Sequence, residues 1–475
     1  MQEIIRGTGF TETEKYLARL AEHTFLNLWS YPNVHRDEIV NGQRAGREIC
    51  DLLVVCGEHV IIFSDKDIGW TGRDIQQSWS RWYRKAVIEG SQQLYGAEKW
   101  IRNNPNRIFT DVRCEQPLPV GIPASPIIHL VLVTHGAEQA CSDSFDGDSG
   151  SFMIAPTEQE MRGAVPFIIG DVDPSRTFIH ILNNANLDIV MLEFDTITDF
   201  TNYLAEKTSL VRSGRLVTAA GEEELVAYYL THMVSKDRHG FPHPKNRAWE
   251  ASDRLALSSG HYKSMSLNPQ YLAKKEADKI SYLWDHLIEV FTKYLLKGTT
   301  IVPQGERFDL KQHALGVRYM AQEPRVMRRM LGGCIDGMMK KSHLQDKTFG
   351  CMLPANDHPD ETGYVFLTLA HLKSHFVGGY EQYRQTRSSM LSAYCLCILK
   401  KNPFLKRIVG IASEPVPQSG ELRTTSEDMA LVRQPEQWTD DLENELNRLQ
   451  THHDIFREDR TTFQHVGVQE YPSES

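Results

Sequence analysis

An aspartate, a serine–aspartate–lysine triplet and the hairpin between them are the residues of this sequence best suited to chemistry. The stretch GREICDLLVVCGEHVIIFSDKDI, residues 46–68, has Asp51 opening one β-branched run and Ser64-Asp65-Lys66 closing another, with a tight turn at Gly57-Glu58. A hairpin folds the chain back on itself, so Asp51 and Lys66 are expected to meet at its open end. Carboxylates beside a lysine suit metal-assisted phosphodiester hydrolysis. The acids hold Mg2+ or Mn2+, oxygen-seeking ions that polarise a phosphate and activate water, and the lysine offsets developing negative charge. Strand alternation sets Ile62, Ser64 and Lys66 on one face and Ile61, Phe63 and Asp65 on the other. Asp65 then reaches the site only where the strand bulges or ends, as Asp67 and Gly69 just beyond would allow; otherwise its backbone carbonyl is the candidate ligand. The competing reading is a solvated sheet edge.

Helices must hold that hairpin. TETEKYLARLAEHTFLNLW spaces Leu17, Leu20, Ala21, Phe25 and Leu28 as one face of a helix. Near its start, Glu14 faces inward by spacing, yet Thr11-x-x-Glu14 is also a capping box. Glu22 is the substitute, and Glu48 reads as a surface residue. After the hairpin a long helix is expected over 74–103, ended by Asn103-Asn104-Pro105. Its first half clusters Arg73, Arg81, Arg84 and Lys85 among Trp70, Trp79, Trp82 and Tyr83, with Gln76 and Gln77 at the hairpin's end. Such cations hold phosphates and a glutamine orients water or phosphate oxygen, unless the basic face is merely solvated. A buried strand, IIHLVLVTHG, follows at 127–136.

Helix, hairpin, helix and strand, with Glu14, Asp51 and Lys66 in that order, resemble the PD-(D/E)XK nuclease superfamily. The likeness is to the nuclease-related and Mrr-type bacterial domains, over residues 8–136. The resemblance implies a restriction-endonuclease-like N-terminal core followed by a larger mixed α/β region. It further implies a magnesium- or manganese-dependent nuclease, acting on DNA rather than RNA, with a role in bacterial defence against invading DNA. Glu14, Asp51 and Asp65 would hold the metal, and Lys66 would complete the catalytic set. Gln77, Arg81, Arg84 and Lys85 would hold the substrate. One departure stands out: Ser64 occupies the place where the family carries an acid. A nuclease fold that has lost its chemistry and binds nucleic acid or protein is therefore the alternative.

The bulk numbers restrict the rest. The 475 residues carry 52 Lys and Arg against 62 Asp and Glu, for a net charge of -10, so contact with nucleic acid must come from a local patch. Eight cysteines stand without a CxxC pair, and no run reaches the length of a membrane span, so a reduced, cytoplasmic protein is expected. The expected divisions are 1–136, an α/β accessory region at 137–416, and a polar, loosely ordered segment at 417–475. Within the second, AVPFIIG, FIHIL and DIVMLEF read as strands, and 197–235, 272–296, 311–342 and 378–400 as helices. Arg325, Arg328, Arg329, Lys340 and Lys341 form a second basic group that could extend a DNA surface or serve helix solubility. Asp148-Ser149-Gly150 echoes a serine nucleophile but lacks a fitting base, and a turn is the preferred reading. His239 and His243 lack a carboxylate or cysteine at ligand spacing. No nucleotide-binding motif occurs. Self-association or a partner protein is left open.

Overall fold

In a computed structural model the structure describes residues 7–40, 43–156, 163–235, 238–241, 254–297, 299, 310–342, 346–354, 362–371, 376–415, 426–455 and 470–471. The chain is mixed α/β and divides into two compact units: Ile4–Glu276, which Glu470 and Tyr471 join, and Ala277–Val468.

The first unit opens with α1 (Glu12–Phe25). Thr11 caps it by accepting the Glu14 amide at 3.1 Å, and Leu17, Ala18, Ala21 and Phe25 bury one face. Three strands follow as an antiparallel meander: β1 (Ser30–Val40), β2 (Gln43–Cys56) and β3 (His59–Asp67). Gly57, at φ 63°, turns β2 into β3. The first of these strands is not apparent in the sequence, because Pro32 and the run His35-Arg36-Asp37-Glu38 break its apolar alternation. As an edge strand it tolerates both. Next come α2 (Ile75–Tyr83), a π-helical turn at Arg84–Ile88, and α3 (Glu89–Asn103). The long helix expected over 74–103 is therefore present with a widened turn inside it. Strand β4 (Ile127–His135) lies parallel to β3.

The sheet continues past residue 136. After α4 (Glu138–Ser144) and two short strands, β5 (Met153–Ile154) and β6 (Ile168–Ile169), comes β7 (Ile179–Asn183). It lies parallel to β4, giving the order β1-β2-β3-β4-β7. Phe63 on one face packs against Phe25 of α1, their rings 6.1 Å apart. On the other face Leu132 lies against Gly90 of α3. The sheet is thus sandwiched between helices, and its central strands are apolar on both sides. The run DIVMLEF is helical, as α5 (Leu187–Glu193), followed by α6 (Ile197–Arg212). Its Leu187, Val190 and Met191 are buried, a helical spacing that the β-branched residues conceal. Strand β8 (Leu216–Ala219) interrupts the helical stretch expected over 197–235 before α7 (Glu222–Thr231). A small hairpin, β9 (Met233–Ser235) with β10 (Arg238–His239), precedes β11 (Leu255–Leu257), and a second sheet runs β11-β8-β5-β6. Helices α8 (His261–Ser266) and α9 (Pro269–Asp278) follow.

The second unit contains α10 (Tyr282–Lys297), α11 (Leu310–Gln322) and α12 (Arg325–Ser342), then a four-stranded sheet. Its strands β12 (Lys347–Met352), β13 (Thr362–Leu369), β14 (Arg407–Ser413) and β15 (Asp428–Arg433) lie in that order, with α13 (Gly379–Lys401) crossing from β13 to the parallel β14. Residues beyond 417, expected to be loosely ordered, supply β15 and α14 (Asp440–His453), whose Leu446 enters the core with Leu391 and Leu399. A narrow apolar stripe was enough to dock an otherwise polar helix.

Candidate active site

The β2–β3 ladder runs from Cys56↔His59 to Leu52↔Phe63. At the next position Asp51 interposes its side chain: Oδ2 accepts the Asp65 backbone N–H at 2.6 Å. A carboxylate has replaced a ladder carbonyl where the strands part. Asp51 is only 7% exposed, and its pKa is pushed up to about 7. Burial is the leading cause. The Asp65 amide and the Lys66 charge oppose it, while Glu48 and Glu14 push the same way as burial.

Continuing the register sets Ser64 and Lys66 on the same face as Asp51, the α3 side. Lys66 is partly buried, and its stem passes α3 at Gly90, where an added Cβ would lie 3.3 Å from Lys66 Cγ. Its ammonium makes no hydrogen bond or ion pair among the described residues. Ser64 is fully buried and its Oγ has no partner among the described residues.

Asp65 lies on the opposite face. Its carboxylate pairs with His135 Nε2 at 2.6 Å, so Asp65 adds a backbone amide, not a carboxylate, beside Asp51. Burial alone would lower the His135 pKa, but the bond and charge of Asp65 outweigh it and raise the value. The strand neither bulges nor ends at Asp65; pairing with β4 continues to Asp67↔His135.

Glu14 is both helix cap and site neighbour. Its Oε2 accepts the Phe10 amide at 2.8 Å and Asn33 Nδ2 at 3.0 Å. The same Nδ2 donates to Glu48 Oε1 at 2.7 Å. Glu48 reaches this place through a β-bulge. Val34 pairs with Cys50 and His35 with Glu48, leaving Ile49 as an extra residue that restores Glu48 to the Asp51 side. Asn33 and Glu48 thus join the site, the first from an unrecognised strand and the second through a bulge that no residue type announces.

Gln77, Arg81, Arg84 and Lys85 are all exposed. Arg81 Nη1 donates to Thr71 Oγ1 at 3.1 Å; the other three make no side-chain bond among the described residues. Of the interleaved aromatics, Trp79, Trp82 and Tyr83 are core and Trp70 is only partly buried. Trp79 and Trp82 stack 5.2 Å apart, and Trp82 Nε1 donates to the carbonyls of Ile68 and His135, tying the end of β3 to β4. Only part of the second basic group is open: Lys340 and Lys341 are exposed, whereas the three arginines are largely covered. Arg325 and Arg328 are buried on Asp285 at 2.7 and 2.6 Å, Arg329 pairs with Asp278 and Lys340 with Asp336. Ser149 Oγ donates to Glu223 Oε1 at 2.5 Å, with no histidine interposed. His239 pairs with Glu470 at 2.6 Å, and His243 lies outside the described residues.

Among the described residues, no group of three or more His, Cys, Asp or Glu side chains lies close enough to hold a metal ion. The oxygens present still suit magnesium, which commonly takes one or two carboxylates and fills its octahedron with water and substrate phosphate. Asp51 is the acid best placed for that, beside an unpaired lysine. No described helix is long and apolar enough to cross a membrane.

The class these features define is a mixed α/β protein with an acid–lysine pair at the splayed end of a central hairpin. No family model, curated protein or solved structure matches the chain.

Proposed function

We propose that the first unit is a restriction-endonuclease-like nuclease, a metal-dependent phosphodiester hydrolase acting on DNA. The observation that carries this reading is the buried Asp51 carboxylate at the parted end of β2 and β3, with Lys66 on the same face. The element order supports it: a helix, a three-stranded meander, a helix and a strand parallel to the third. A bound Mg2+ would polarise the scissile phosphate and lower the pKa of its water. Asp51 would hold the ion, and the Asp65 amide fixes the orientation of its carboxylate. Lys66 sets its ammonium against the charge that develops on the phosphate, a contribution of about 100- to 1000-fold in rate. Arg84 and Lys85 hold the backbone without reading bases.

Purified full chain should be incubated with plasmid, linear duplex, single-stranded DNA and RNA, with Mg2+ and with Mn2+, beside Asp51→Ala and Lys66→Ala. Cleavage of DNA abolished in both folded variants is the expected result. Cleavage that persists in both would remove this site from the reaction. The second reading, a nuclease fold that binds without cutting, is favoured by Ser64 at the acidic position and by the lack of a three-ligand group among the described residues. Under that reading the wild type binds DNA and cuts none of the four substrates.

A further inference from the structure

We propose that Asn33 is a positioning residue for this site, holding Glu14 and Glu48 in one arrangement beside Asp51; the inference rests on the nuclease reading above. Asn33 is 4% exposed and stands on edge strand β1 with φ 49°, a left-handed backbone that side chains other than Asn and Asp seldom adopt. A residue kept in that conformation inside a strand needs a reason, and strained backbone concentrates where side-chain placement matters. The reason here is the amide. Its nitrogen donates to Glu14 Oε2 at 3.0 Å and to Glu48 Oε1 at 2.7 Å, committing both hydrogens to carboxylates from separate elements. Two negative charges are thereby kept within about 6 Å of one another by a neutral donor.

The three residue types that tolerate this backbone differ in what they supply. Glycine has no donor, aspartate would add another negative charge, and asparagine alone donates twice. Among the described residues, Glu14 Oε1, Glu48 Oε2 and Asp51 Oδ1 make no hydrogen bond, so each acid retains an uncommitted oxygen. Ser64 Oγ, on the Asp51 face, is fully buried without a partner among the described residues. An unsatisfied hydroxyl on the Asp51 face and a free oxygen on each acid are groups whose bonding a ligand or water can complete. Asn33 fixes where Glu14 and Glu48 sit beside Asp51.

Asn33→Gly is the decisive variant, since glycine accepts the backbone angle and removes the side chain that carries the amide. Asn33→Asp keeps the shape and the backbone tolerance but cannot donate when ionised. Single-turnover cleavage of linear duplex, DNA affinity in Ca2+ and thermal melting should be measured on the full chain. For Asn33→Gly the expected result is a protein that still folds cooperatively with a modestly lowered melting point and unchanged affinity, and a rate lowered about 10- to 100-fold, partly recovered at higher Mn2+. Asn33→Asp should fall at least as far. A wild type that cleaves, with Asn33→Gly cleaving at an equal rate, overturns the role of Asn33 and leaves the nuclease reading intact. Loss of melting temperature, affinity and rate together makes Asn33 a structural residue and overturns the proposal. A wild type that cuts none of the substrates removes both the nuclease reading and this role of Asn33.

Discussion

Asp51 should cost the protein stability at neutral pH, and removing its charge should return it. The carboxyl titrates at about 7 in the folded chain, against about 3.9 for an unperturbed aspartate. A raised folded pKa means that the folded state binds the proton more tightly than the unfolded state does. The associated stabilisation is complete below about pH 3.9 and is lost as pH climbs through 7. Over that window the loss amounts to about 4 kcal/mol, large beside a typical net stability of about 5–15 kcal/mol. Asp51→Asn keeps an oxygen to accept the Asp65 amide but carries no charge. It should therefore be neutral near pH 3.5 and stabilising by up to about 4 kcal/mol at pH 8. Urea unfolding of both proteins across that range measures the difference directly. An Asp51→Asn variant that is less stable than wild type at pH 8 would refute burial as the dominant influence on Asp51. It would mean that the ionised carboxylate is held by partners strong enough to offset desolvation.

Gly90→Ala tests the packing of α3 on β4 beside Lys66. Alanine inside a helix is normally about 1 kcal/mol better than glycine. Here the new Cβ would lie 2.7 Å from Leu132 Cδ1, so the sign should reverse to a destabilisation of about 1–2 kcal/mol in urea unfolding. A second titration runs in the opposite sense to that of Asp51. Buried His129, whose Nε2 meets His59 Nδ1 at 3.1 Å, has its pKa lowered to about 4 by burial and then by His59. The unfolded chain takes up that proton first, so stability falls by up to about 3 kcal/mol as pH drops from 6.5 toward 4. His129→Gln should flatten the curve in that window, and an unchanged acid slope would count against the assignment. Arg84→Ala with Lys85→Ala should leave melting unchanged, since both side chains are exposed and unpaired. The pair should lower the log–log salt slope of DNA binding by about one for each phosphate no longer neutralised, and an unchanged slope would take both cations out of the interface.

Much of the N-terminal architecture was legible because it follows from local periodicity. Leu17, Ala21 and Phe25 recur at helical spacing, and the β2 and β3 runs flank a glycine turn. The helix after them is marked by the Asp74 cap, whose side chain accepts the Gln77 amide at 2.8 Å. Strand β1 was not legible. Its Asn33, His35 and Asp37 are buried, Asn33 on Glu14 and Glu48 and Asp37 on Arg107, and His35 also bridges to Phe109, so polar residues occupy covered positions and no apolar alternation marks it. The run at 188–194 misled for the opposite reason: β-branched residues suggested a strand where burial against neighbouring helices selected one turn after another of helix. In the second unit, Arg325 and Arg328 looked like surface cations because nothing local reveals that Asp285 waits for them in the fold.

The same division applies to the site. Sequence by itself determined that an acid and a lysine would share the open end of a hairpin, because chain reversal and strand alternation are local consequences of residue type. Only the tertiary structure decided which other groups join them. His135 engages the Asp65 carboxylate that alternation leaves on the far face, a bulge at Ile49 returns Glu48 to the near one, and a left-handed asparagine on a neighbouring strand ties Glu48 to Glu14. Each of these depends on a partner distant in the chain or on a register shift. Pairings of that kind are set by how the elements pack and leave no periodic trace in the order of the residues.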